Sequence, residues 1–147
     1  MKRDQKFQTE ADLCAAFLAW VKRFDGWTAY AETHGWDILL AHADGTQIGI
    51  QAKLKFNMAV LKQAVEWSGA SSLSDQPGPD FRAVLLADQS GAASLLACLG
   101  ITEFWSHRGG QAFAPALDLG SFATRPWHSC NPVKPHTLPR SVPDVPA

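Results

Sequence analysis

Apolar residues recur at Leu13, Phe17, Trp20, Val21 and Phe24, the spacing of three and four that lays a single stripe along a helix. Thr9 stands ahead of the run with Asp12 three positions on, a capping arrangement that predicts a helix from Thr9, and Gly26 closes it. The period then changes. Trp27-Thr28-Ala29-Tyr30-Ala31-Glu32 reads as a strand running to a break at Thr33-His34-Gly35. Trp36-Asp37-Ile38-Leu39-Leu40 and the segment from Gln47 to Leu54 read as two more, separated by a turn signal at Asp44-Gly45. Asn57 caps a second helix reaching Trp67, with Met58, Leu61 and Val65 as its apolar positions. The small, polar stretch from Ser68 to Asp80 predicts a loop, the run from Phe81 to Asp88 a buried strand, and Ala92 to Leu99 a short helix stopped at Gly100. Segments 101–107 and 111–117 pattern as a hairpin around Arg108-Gly109-Gly110, either a plain turn or a basic tip that touches nucleic acid.

The turn at Asp44-Gly45 decides which polar groups meet. A two-residue loop would pair Asp37 with Ala52; a three-residue loop, Ala43-Asp44-Gly45, would pair Asp37 with Gln51. The order Asp then Gly suits the three-residue form, in which glycine takes the left-handed position. With a period of two, Gln47, Gly49, Gln51 and Lys53 share one face of their strand, and the missing side chain of Gly49 leaves open space beside Gln51. An acid, an amide and an amine are thereby expected together.

Composition narrows the classes. A chain of 147 residues, 46% hydrophobic, with six Trp and eight Phe, is ample for one folded domain. No apolar run approaches a membrane span and the N-terminal residues lack a secretory apolar stretch, so an intracellular, cytoplasmic protein with no membrane partner is expected. Cys14, Cys98 and Cys130 suggest neither a disulfide framework nor a zinc site, and the first two are expected as buried free thiols. A net charge of -1 argues against a non-specific coat for nucleic acid. Six of the nine prolines fall in the last 22 residues, which predicts a domain over 1–120 and a proline-rich tail or linker over 121–147.

Asp37 followed by Gln51-Ala52-Lys53, set in the order helix, strand, strand, strand, helix, strand from about Thr9 to Asp88, resembles the PD-(D/E)XK nuclease superfamily. The chain departs from the commonest pattern twice: Trp36 precedes the aspartate where proline is usual, and Gln51 replaces an acid. The resemblance implies an α/β fold with a restriction-endonuclease-like core, a mixed central sheet flanked by helices in αβββαβ order. It further implies a metal-dependent phosphodiesterase, endo- or exonuclease, acting on nucleic acid and on DNA before RNA, with dimers common among its members.

The implied site has Asp37, the Gln51 side-chain oxygen and the Ala52 carbonyl around Mg²⁺ or Mn²⁺, one ion and not two, since Gln51 brings no charge. Glu10 and Glu32 stand by to supply it. Glu10 is either a carboxylate aimed at the site or an anion placed at the positive end of a helix dipole; Glu32 is either a ligand or a solvated strand end. Lys53 would orient and help deprotonate the attacking water and offset charge on the phosphorus. Lys55 and Lys62 are candidate phosphate contacts, and Gln63 a polar group near the site or an ordinary surface residue. His34 reads as exposed. Two rival classes remain: a nuclease fold kept as a non-catalytic binding module, with Gln51 marking decayed catalysis, and a protein-binding role through exposed aromatics at Phe104, Trp105 and Trp127.

Overall fold

The computed structural model describes residues 7–33, 35–43, 45–66, 79, 81–98 and 101–115. The helix α1 (Glu10–Val21) opens as its sequence requires, with the Thr9 hydroxyl accepting from the Asp12 amide at 3.1 Å. The strands β1 (Trp27–Thr33), β2 (Trp36–His42) and β3 (Gln47–Lys53) follow, then α2 (Met58–Glu66), β4 (Phe81–Leu86), α3 (Ala93–Cys98), β5 (Ile101–His107) and β6 (Ala112–Ala114). The six strands form one mixed sheet in sequential order: β1, β2 and β3 antiparallel, β4 and β5 parallel to β3, β6 antiparallel again.

Alternation along the strands divides the apolar residues between two layers. Ile48, Ile50, Ala52, Ala83, Leu85 and Phe104 pack with Leu13, Phe17, Trp20 and Val21 of α1, whereas Val84, Leu86 and Ile101 pack with Val60 and Leu96 of α2 and α3. Helices therefore lie on both faces, and the fully buried β4 reads as apolar throughout for that reason. The ring of Phe17 organises the larger core, with ring centres of Trp20, Phe104 and Phe113 at 5.5, 5.3 and 5.1 Å.

The three-residue loop is present: Ile38 pairs with Ile50 and Ala41 with Gln47, the His42 amide donates to the Thr46 carbonyl at 2.8 Å, and Gly45 has φ +97. The ladder ends at Ile38 and Ile50, one pair short of Asp37 and Gln51, and beyond it the Asp37 side chain takes the Ala52 amide.

Several expectations need correction. Helix α1 ends at Val21, and Gly26, at φ +86, serves the turn into β1. In α2 the buried position is Val60, while Met58 is 72% exposed, because the Asn57 cap, accepting from the Val60 amide at 2.9 Å, fixes where the helix starts and so which side it presents to the sheet. Phe104 is fully buried against Phe17, which removes it from any exposed aromatic surface; Trp105 is half-buried. The space above Gly49 is filled, since a Cβ there would overlap the ring of Trp36 and come within 2.9 Å of Pro79. The second arm of the terminal hairpin is Ala112–Ala114. The tail over 121–147, with Trp127 and Cys130, the loop 68–78, and His34 lie outside the described residues. Among those described, no helix is long and apolar enough to cross a membrane.

Candidate active site

Three strand ends and one helix start converge where β1 stops, β2 begins and β3 finishes. The β1–β2 pairs Ala31 with Ile38 and Thr33 with Trp36 bracket Glu32 and Asp37, which therefore occupy opposed positions. Two carboxylates directly across a strand pair repel each other unless something positive intervenes. Glu32 is moreover the one non-glycine residue with positive φ (46°) among those described. That conformation costs about 1–2 kcal/mol, and the Thr33 hydroxyl, donating to the Ala31 carbonyl at 3.0 Å, braces it. Non-glycine residues held this way concentrate at functional sites.

Asp37 is half-buried and its Oδ2 accepts the Ala52 amide at 2.8 Å. The carboxylate thus takes the place of a backbone partner just past the last β2–β3 pair, at Ile38 and Ile50. Oδ1 receives no hydrogen bond from a described residue. Lys53 leaves the end of β3 toward α1, its Nζ 3.2 Å from Glu10 Oε1, with side-chain exposures of 32% and 46%. An ion pair this exposed is worth at most about 1 kcal/mol, so it positions Lys53 without sequestering it.

Gln51 is placed differently from the expectation of a metal-facing oxygen. Only 3% exposed, it donates Nε2 to the Gly35 carbonyl at 3.0 Å. Gln51 and Lys53 alternate correctly along β3, yet their side chains end at separate partners: the turn before Asp37 for one, the first turn of α1 for the other.

Cys14, expected as a buried free thiol, is a free thiol near the acids of this site, a placement the sequence reading did not assign; the Cys98 side chain lies outside the described atoms. Cys14 is half-buried on α1, one turn from Glu10, and its thiol is pushed up to about 11, by burial first and then by Asp37, Glu10 and Glu32 in that order. The helical spacing of four from Glu10 was the available signal. Burial is the larger cause, and the three carboxylates add to it in the same direction.

Of the remaining candidates, Lys55, on the segment leaving β3, and Lys62, on α2, are exposed, and the Gln63 side chain lies outside the described atoms. No three His, Cys, Asp or Glu side chains among the described residues are close enough to enclose a metal ion. Mg²⁺ needs only one or two carboxylates and completes its shell with water and phosphate oxygens, and Asp37 with Glu32 at the opposed strand position is a donor set of that kind. No protein-family model matches the chain, and no curated protein or solved structure is similar to it.

Proposed function

We propose that the chain is a metal-dependent phosphodiesterase that cleaves nucleic acid, with DNA as the first substrate to test, on a nuclease core of the restriction-endonuclease-like kind. The carrying observation is that consecutive residues at the end of β3 engage two acids, the Ala52 amide donating to Asp37 and the Lys53 ammonium meeting Glu10, with Glu32 at the strand position opposed to Asp37. The element order helix, strand, strand, strand, helix, strand supports the same reading.

Asp37 and Glu32, with the Ala52 carbonyl, would hold Mg²⁺ or Mn²⁺, which supplies charge neutralisation on the phosphate and a more acidic water. Asp37 is oriented for that work by the Ala52 amide, which fixes its Oδ2. Lys53 orients the attacking water and offsets the charge that develops on the phosphoryl oxygens, where a fixed ammonium acts most strongly. Glu10 holds the end of the flexible lysine stem at the first turn of α1. Lys55 and Lys62 steady the flanking phosphates.

The test is cleavage of a labelled panel of single-stranded, duplex and branched DNA and RNA in Mg²⁺ or Mn²⁺, with EDTA and Lys53→Ala as controls. Cleavage by the wild type, abolished by EDTA and reduced at least a hundredfold by the substitution, is expected, the size expected for a positioned proton-transfer group. Metal-independent, salt-sensitive binding without cleavage would instead establish the non-catalytic module.

A further inference from the structure

Gln51 occupies the position at which the resembling nucleases most often carry an acid, and the geometry there gives the substitution a physical reason. Its side chain is 3% exposed and directs Nε2 at the carbonyl of Gly35, 3.0 Å away. A carboxylate at this place would be an acceptor facing an acceptor in a buried setting, an arrangement without compensation. Gly35 itself stands at φ +82, in the tight connection between β1 and β2. The two arms of that connection carry Glu32 and Asp37, three residues before Gly35 and two after it. The next residue of β3, Ala52, donates its amide to Asp37 at 2.8 Å. Adjacent residues of β3 thus send two donors across the gap past the last β2–β3 pair, one to the backbone before Asp37 and one to its carboxylate.

We infer that Gln51 is a positioning residue: through the Gly35 carbonyl it sets the β1–β2 connection and so the separation and aim of the Glu32 and Asp37 carboxylates, and its amide is required as a donor. The inference rests on the phosphodiesterase reading. It also parts from the view of Gln51 as a spent acid, since a glutamine chosen as a donor is not the residue of a lost charge. Outer partners that hold ligating side chains in place are worth roughly 10–100-fold in metal affinity.

The experiment compares the wild type with Gln51→Glu and Gln51→Met, the second keeping length and burial while removing the donor. Mn²⁺ affinity is titrated by electron paramagnetic resonance at a temperature where circular dichroism shows every variant folded, and thermal unfolding is recorded without metal. Both variants are expected to unfold at lower temperature than the wild type and to bind Mn²⁺ at least tenfold more weakly, Gln51→Glu in spite of its added charge. Mn²⁺ binding by Gln51→Glu that equals or exceeds the wild type would overturn the inference and make position 51 a ligand site, as would unchanged affinity in Gln51→Met, which would reduce the bond to plain stability. A wild type that neither binds Mn²⁺ nor cleaves nucleic acid would remove the phosphodiesterase reading and the positioning role with it, an outcome distinct from an active wild type with a tighter-binding Gln51→Glu.

Discussion

Cys14 reports the electrostatics of the acids around it. Burial, then Asp37, Glu10 and Glu32, push its thiol up from 9.0 to about 11, so folding favours the neutral form. A group whose pKa is raised on folding contributes its stability fully below the unfolded value and loses it as pH rises through the folded one, here from about 9 to about 11. Alkylation requires the thiolate. At pH 8 the thiolate fraction falls about tenfold each time the pKa rises by one, so peptide-resolved mass spectrometry should find Cys14 reacting with iodoacetamide roughly a hundredfold more slowly than an unstructured cysteine. Reaction should be faster in Asp37→Asn. A Cys14 peptide that reacts like a free thiol would contradict its burial, and an equal rate in both proteins would contradict the contribution of Asp37.

Among the elements, β3 carries the most consequence, since its first half fixes the register and its last residues hold the site. Gly49 is closed over by Trp36 and Pro79, so Gly49→Ala should overpack that contact and cost about 1–3 kcal/mol, read as a lower urea midpoint at unchanged slope; an unaltered midpoint would mean that the indole ring is not seated there. The register of β2 on β3 was legible beforehand, because a glycine in the left-handed position permits only certain loops and the loop fixes every pair after it. The helix α1, with its Thr9 cap and its stripe, was legible for the same reason: the signals are local. What escaped depends on contacts distant in the chain. Gln51 finds the carbonyl of Gly35 sixteen residues away, Trp36 folds over Gly49, and Phe104 reaches the Phe17 ring from the far strand, none of which a period of two or 3.6 encodes. The position of Val60 in place of Met58 beneath α2 shows the limit for short helices, where one residue of rotation exchanges the buried side.

For the whole molecule, the sheet with helices on both faces gives a rigid scaffold whose β1, β2 and β3 ends meet the start of α1, and the candidate chemistry lies at that meeting point on element termini. On the proposed function, a net charge of -1 would leave attraction to nucleic acid to local basic groups. The order of elements, and a Glu32 near Asp37 once β1 and β2 pair, were readable from the sequence; the left-handed conformation of Glu32 was not, since strain at a single residue follows from packing around it. The most direct measurement is a calorimetric titration of the purified protein with Mn²⁺, beside Asp37→Asn. One bound ion, with affinity falling at least tenfold in the variant as expected for loss of a charged ligand, is the predicted result. A wild type that takes up no ion, or an Asp37→Asn protein that binds it equally well, would contradict a catalytic metal at this row of acids.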